Sequence, residues 1–395
     1  METKLDNKWE KAVKGDDEEE VLTRPSLTYW QDAWRRLRKN KLSILGLIVI
    51  ILLIFTAIFG PMISKYNYSD ENLNMGNLPS RLNVYQVSKN DFVYVHPEYR
   101  IYKITKNGHF IKLLNPTNVD YTTYEKTYKI SGLNVVLDFK NARLAMKDPS
   151  IQKFELLVNG KVIKPIDRVT NKTHWLGTDT HGRDTLIRVI YGARISLIVG
   201  FVATLVNFLI GVLYGGISGY LGGKVDAVMM RIMDTISTIP LLLYVILLMV
   251  IIAPGLKTII LAIGLTFWVN MARIVRGQAL VIKQQEYVFA AKTLGASTTR
   301  ILLKHIIPNA MGPIIVSLTM MIPSAIFTEA FLSFIGLGVS APQASWGTLA
   351  SDALGSIQTY PEQLLYPSLA ISIAMLAFNF LGDGLRDSLD PRLRK

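Results

Sequence analysis

The sequence predicts an all-α polytopic membrane protein of six transmembrane helices, with a small β-rich insertion between the first two. Three observations lead there. Half of the 395 residues are hydrophobic and only 18% are charged, a balance that belongs to membrane proteins rather than to soluble domains. Long uncharged runs recur, most of them near the ~20 residues that a helix needs to cross the hydrocarbon. One stretch, 65–175, breaks this pattern with polar residues and strand-like alternation.

In chain order, residues 1–41 read as a tail that ends in an amphipathic basic helix. Trp30 and Trp34 precede Arg35, Arg36, Arg38, Lys39 and Lys41, a pattern suited to an inner-leaflet surface. The first span, 42–64, is too long for a signal-peptide core and no A-x-A-like site follows it, so it reads as an uncleaved anchor. Further spans are 195–223, 235–256, the short 258–272 with Lys257 and Arg273 placed to snorkel, one from 306 interrupted only by Glu329, and 363–382. Residues 384–395 form a C-terminal tail. Between spans two and three, 228–239 is amphipathic and carries Arg231 and Asp234.

Orientation follows from basic residues in short loops. With a cytoplasmic N-terminus, the inside segments hold ten, two, six and four Lys/Arg, and the short outside loops hold only Lys257. The twenty in the long outside segment do not count against this, because loops beyond about 60 residues translocate largely regardless of charge. Both termini are then cytoplasmic. The net charge of +13 is mostly topological and does not point to nucleic acid.

Within the insertion, Phe92-Val93-Tyr94-Val95 and Ile101-Tyr102-Lys103-Ile104 alternate as strands. Residues 154–163 read as a hairpin turning at Asn159-Gly160. His96, His109 and His174 are too far apart to suggest a metal site and read as lone surface histidines. The chain has no cysteine, which excludes disulfides and thiolate metal sites. It has no G-x-x-x-x-G-K-[ST] and no H-E-x-x-H, so neither phosphate cradling nor zinc hydrolysis is expected of it. Transport fits better than catalysis.

The most informative stretch is 276–308, basic, amphipathic and broken once at Leu294-Gly295-Ala296-Ser297. Glycine after a helical run is a stop signal and serine two residues later is a good N-cap. It reads as two short helices held at an angle at the membrane surface. Ala290 and Ala291 permit close approach, and Tyr287 and Phe289 are anchor-type side chains. Gly295 tolerates φ > 0, and Pro308 marks the entry to span five. An ordinary helix lying on headgroups is the plainer alternative. Glu329 stands roughly 26 Å along span five from Gly312, at ~1.5 Å per residue. A carboxylate there faces a bundle interior or water. It either braces an outer gate by hydrogen bonding or meets a cargo's ammonium group.

The segment Phe289-Ala290-Ala291-Lys292-Thr293-Leu294-Gly295, with Pro308 thirteen residues after the glycine, resembles the E-A-A-x3-G-x9-I-x-L-P loop of bacterial ABC importer permeases. Phe289 replaces the usual Glu, which lies earlier as Glu286. His305 replaces Ile, and Ile307 replaces Leu. The runs Leu176-Gly177-Thr178-Asp179-Thr180-His181-Gly182-Arg183-Asp184, Glu329-Ala330-Phe331-Leu332-Ser333-Phe334-Ile335-Gly336 and Leu381-Gly382-Asp383-Gly384-Leu385-Arg386-Asp387, with Asp390-Pro391-Arg392, are similar to the C-type permease of oligopeptide and dipeptide importers. The resemblance spans roughly 30–64 and 175–395. An insertion the size of 65–174 is not usual for that branch.

The resemblance implies a subunit that pairs with a homologous permease to form the pore, above two ATP-binding subunits and beneath a peptide-binding protein. This chain itself would bind no cofactor, ATP and Mg residing on the ATPase subunits. Glu286, Tyr287, Phe289, Ala290, Ala291, Gly295, Ala296, Ser297 and Pro308 would couple to the ATPase. Glu329 and Phe334 are pore or gate candidates. Asp179, Arg183 and Asp184 either dock the binding protein or pair among themselves and cap a helix. Nickel or another small solute is the alternative cargo. An ATPase-independent channel or secondary transporter, or an anchored adhesin or sensor, is the alternative class.

Overall fold

A computed structural model describes residues 28–145, 147–148 and 151–389. Most of the N-terminal tail and the Asp390-Pro391-Arg392 motif lie outside the described residues. The first helix of the described residues is α1 (Tyr29–Lys39), opened by a capping box in which Thr28 and Gln31 satisfy each other's backbone N–H groups. Its inward face is only Ala33 and Leu37, while Trp30 and Trp34 face outward, the disposition of a surface helix. Asn40 then caps α2 (Lys41–Ile63), accepting from the N–H groups of Leu42 and Ser43.

The insertion folds as two five-stranded antiparallel sheets. In the first, the order is β10-β1-β2-β3-β4, with β1 (Arg81–Gln86), β2 (Phe92–Val95), β3 (Ile101–Ile104), β4 (Phe110–Leu114) and β10 (Asp167–Thr170). In the second it is β5-β6-β7-β8-β9, with β5 (Asn118–Asp120), β6 (Glu125–Ile130), β7 (Leu133–Asp138), β8 (Glu155–Val158) and β9 (Lys161–Ile163). A short α3 (Ala142–Ala145) follows β7. Asn159-Gly160 adopts φ +48° and +79°, the two left-handed residues that a type I′ hairpin turn needs. Val93, Val95 and Ile101 pack with Tyr128, Val135, Leu137 and Leu156 of the second sheet. Tyr94, Tyr102 and Ile104 face the other way, onto Leu78, Leu82 and Val84. The first sheet is thus covered on both faces, so β2 lacks the exposed alternate positions of a one-sided strand.

The helical part comprises α4 (Thr185–Leu221), α5 (Gly223–Thr238), α6 (Leu241–Ile252), α7 (Leu256–Ile282), α8 (Glu286–Thr293), α9 (Thr298–Ile301), α10 (Ile307–Asn309), α11 (Met311–Phe334), α12 (Trp346–Ala353) and α13 (Glu362–Leu389). Among the described residues, five helices are long and apolar enough to cross a membrane: α2, α4, α7, α11 and α13. The expected third span, 235–256, is no straight helix. It is α6, twelve residues long and so only ~18 Å, joined to α5 by an 80° bend. Pro240 stands at that bend as the N-cap of α6, where it cannot continue the preceding helix. Six spans are reached only by counting the bent pair as one. The fourth span also differs: α7 runs on through Arg273 and Arg276 to Ile282. It carries those cations into ion pairs with Asp234 and Asp226 of α5.

Close packing of α4 against α7 organises the bundle. A Cβ on Gly215 would stand 2.2 Å from the Ala272 carbonyl oxygen, and one on Gly219 2.7 Å from that of Arg276. Gly216, one residue on, meets only Leu302 at 3.7 Å. Gly215→Ala should therefore lower stability by about 1–3 kcal/mol through overpacking. Gly216→Ala should leave it unchanged or raise it by up to ~1 kcal/mol, the helix-propensity gain. Thermal unfolding of the two purified variants in detergent checks the contrast.

Candidate functional site

At the end of the bundle away from the insertion, α7 stops at Ile282 and the chain turns into α8. Only Val288 of α8 is buried. With the half-buried Ala291 and Ala296, it sits in one apolar cluster with Val212 of α4, Met271, Val275 and Ala279 of α7, and Ile314 of α11. Tyr287, Phe289 and Leu294 point outward at 44%, 57% and 88% exposure, and Glu286 and Ala290 are exposed beside them. Gly295 has φ +79°, a conformation that side-chain-bearing residues adopt at a cost. The Ser297 hydroxyl accepts from the Arg300 N–H and opens α9. A π-helical turn, Leu302–Ile306, leads to Pro308 in the first turn of α10, and Ala310 joins this to α11. The result is an element broken at Gly295, whose inner face belongs to the bundle core and whose outer face is exposed. A cavity of about 840 Å³ adjoins it, lined in part by Tyr29, Gln278, Pro308, Val316 and Arg386.

Glu329 lies toward the opposite end of α11 and is fully buried. Its two carboxylate oxygens accept from the hydroxyls of Ser196 on α4 and Ser333 on α11, each at 2.7 Å. Bonded to serine hydroxyls on two helices, and with no ion-pair partner among the described residues, it is a cross-brace between two spans. Phe334, at the end of α11, is 38% exposed. Beyond it the chain re-enters as α12, capped by Ser345. Trp346 is 1% exposed and donates from Nε1 to the Val189 carbonyl of α4 at 3.0 Å. A Cβ on Gly347 would meet the Ala330 carbonyl at 2.3 Å, so α12 is wedged against both spans. Asn207, fully buried in α4, has no side-chain partner among the described residues, and nothing in the structure explains it.

The motif 176–184 forms a tight loop where the insertion meets the bundle. Gly177 and Gly182 have φ +77° and +72°, and Cβ atoms there would strike the Leu78 and Asn72 carbonyls. Asp184 caps α4 by accepting from the Ile187 N–H at 2.9 Å and is bonded to His174 Nδ1 at 2.8 Å. Arg183 donates to Asp179 at 2.7 Å, and Asp179 also receives Arg188. Arg183 and Arg188 are 5% and 2% exposed, and they reach outward to Glu71 and Asp352 at 3.5 Å each. A cavity of about 300 Å³ opens beside this network. Arg188, Asp352 and Trp346 carried no sequence signal, because their partners lie on other segments of the chain.

Two histidines depart from the reading as surface residues: His96 is wholly buried and His174 is 4% exposed. His96 Nε2 stands 2.9 Å from the Asn77 carbonyl, and Nδ1 accepts from the Glu98 N–H at 3.2 Å. A carbonyl only accepts and a backbone N–H only donates, so this pattern assigns the neutral Nε2–H tautomer. Burial lowers the His96 pKa. Gln363 of α13 completes the seam, donating to Asn77 Oδ1 and to the Thr178 carbonyl at 3.2 and 2.9 Å.

Five helices long and apolar enough to cross a membrane, with an exposed element at one end of the bundle, are the features of a multi-pass membrane protein. The chain belongs to the binding-protein-dependent transport system inner membrane component family, whose pattern matches residues 184–395. Residues 28–79 match the N-terminal TM domain of oligopeptide transport permease C. The chain is 42% identical over 389 residues to the oligopeptide transport system permease protein OppC of Bacillus subtilis, covering 98% of each chain. It is 42% identical over 379 residues to the dipeptide transport system permease protein DppC of the same organism, covering 96% of this chain and 90% of that one. OppC of Escherichia coli is 48% identical over 221 residues, 56% of this chain and 73% of that one. The near-complete alignments take in the insertion. A segment of this size is thus shared with these two relatives, contrary to the expectation that it is unusual in the branch.

Two predictions follow from the buried groups. Glu329→Ala strands two hydroxyls and should cost about 1–3 kcal/mol. Glu329→Gln, which keeps one acceptor and gains a donor, should cost clearly less in the same thermal assay. Because the folded pKa of His96 lies below its unfolded ~6.5, the unfolded state takes up the proton first as pH falls. Insertion stability is then full above pH ~6.5 and declines as pH drops toward the folded pKa. Asp91 does not confound this window, since Lys103 and the hydroxyls of Ser131 and Ser88 hold its carboxyl below the usual range. Hydrogen exchange of the β-sheets between pH 7 and 5 should show the decline in wild type and a flatter profile in His96→Gln.

Proposed function

We propose that this chain is one half of the pore of an ATP-driven, binding-protein-dependent importer of oligopeptides or dipeptides. It works with a homologous permease subunit, two ATP-binding subunits and an extracytoplasmic peptide-binding protein. Its termini and α8 face the cytoplasm, as the distribution of Lys and Arg supports. The chain holds no cofactor; ATP and Mg sit on the ATPase subunits. The identity of its relatives, oligopeptide and dipeptide permeases, supports the cargo class.

The observation that carries this reading is the two-sidedness of α8. Its outer face offers Tyr287, Phe289 and Leu294 to a partner's groove, in the manner of aromatic anchors filling a pocket. Its inner face, through Val288, Ala291 and Ala296, shares a packed core with α4, α7 and α11. Close-packed cores transmit displacement rather than absorbing it. Closure of the ATPases displaces α8, the shared core carries the displacement into α11, and the Glu329 brace lies farther along that same helix. The loop holding Asp179, Arg183 and Asp184 stands on the insertion side. Since Arg183 pairs with Asp179, and Asp184 with His174, their part in binding-protein docking is to hold the shape of that rim.

Tyr287→Ala combined with Phe289→Asp alters exposed side chains only. In membranes expressing the assembled transporter, this variant should insert normally, lose co-purifying ATPase subunits and take up labelled tripeptide at least ten-fold more slowly. Unchanged ATPase recovery and uptake would refute the coupling role, and uptake of nickel but not peptide by the wild type would refute the cargo.

A further inference from the structure

Where the insertion overhangs the bundle, α2, α4 and the first sheet enclose a groove of about 1130 Å³. It is larger than the ~300–1,000 Å³ of ordinary small-ligand sites. Its floor is apolar: Ile63 at the end of α2, and Ile187 and Ile190 in the first turns of α4. The two helices meet closely there, a Cβ on Gly60 lying 2.6 Å from the Ile190 side chain. The opposite rim is cationic and aromatic. Lys65 and Lys172 are exposed, and among the described residues neither ammonium has a carboxylate partner. Trp175 lines the groove at 66% exposure. The one lining carboxylate, Asp184, is occupied by His174 and the Ile187 N–H.

The level of this groove is fixed by α2. Its 23 residues match the hydrocarbon thickness, so Ile63 and the Ser64 cap that follows it lie at the interface. Tryptophan and lysine are the side chains favoured at that depth. An apolar floor on the hydrocarbon side and two unpaired ammonium groups on the headgroup side match one ligand chemistry. We propose that the groove binds an anionic phospholipid of the leaflet on the insertion side, its acyl chain along Ile63, Ile187 and Ile190 and its phosphate between Lys65 and Lys172. Trp175 closes over the glycerol region. The lipid then fills the junction between the sheets and the spans. This rests only on α2 and α4 crossing the membrane, and not on cargo or coupling.

The test is lipid retention. The full chain is purified in mild detergent from membranes containing phosphatidylglycerol and phosphatidylethanolamine, and bound lipid is extracted and quantified by mass spectrometry. Wild type should retain phosphatidylglycerol in excess over its membrane fraction. Lys65→Gln with Lys172→Gln should reduce that retention roughly thirty-fold, at about 1 kcal/mol per lysine. Trp175→Ala should reduce it less. Lys112→Gln with Lys161→Gln, on exposed strand positions away from the groove, should change nothing. Circular dichroism of each variant verifies folding. Equal retention in the first pair and the control pair would overturn the site. So would loss of the lipid from wild type on assembly with the partner permease, which would make the groove a subunit interface.

Discussion

The approach of α4 to α7 is the contact on which the rest of the bundle depends. Gly211, Gly215 and Gly219 recur every fourth residue along α4, and each faces backbone or the base of a side chain on α7. Without a hydrophobic driving force between helices inside lipid, such close approach is what holds spans together. The 37-residue α4 is thereby a fixed post. At one end it meets the insertion through Asp184, in the middle it receives Glu329 through Ser196, and at the far end Val212 joins the cluster that seats α8.

Buried polar groups then decide how the parts are registered on that post. The Glu329 carboxylate ties α11 to α4, and the Trp346 indole ties α12 to α4. Arg188, in the first turn of α4, gathers Asp179 and Asp352 from two separate segments. Each of these groups would be costly to bury alone, so each fixes its neighbours' positions. The insertion is held by the same logic: His96, Asn77, Thr178 and Gln363 form a polar seam between the first sheet and α13. The seam needs a neutral imidazole, which makes it the acid-sensitive joint of the molecule.

Much of this was legible in the sequence. The hairpin at Asn159-Gly160, the break at Gly295, the cap at Ser297 and the amphipathic α1 are local effects, set by residues within a few positions of one another. The third span and the histidines were not. Residues 235–256 have the composition of a span, yet Pro240 falls near the start, and a run of apolar residues does not say whether a bend divides it. His96 and His174 stand in polar stretches that resemble surface, and only distant chain segments, Asn77 and Asp184, show why they are buried.

The sequence by itself determined the family, the set of apolar helices, the basic angled element and the β-rich character of the insertion. These follow from composition, periodicity and turn chemistry, which act over short separations. The tertiary structure decided that α6 is too short to span unaided, that Glu329 is a hydroxyl-bonded brace, and that Asp179 and Arg183 are sequestered in an ion network while Asp184 caps α4 and bonds His174. It also decided that a cationic groove opens under the insertion. The bend at Pro240 sets the length of α6; the other three share one physical reason, since each depends on which groups from remote segments arrive to satisfy, or to leave unsatisfied, a buried or interfacial polar group.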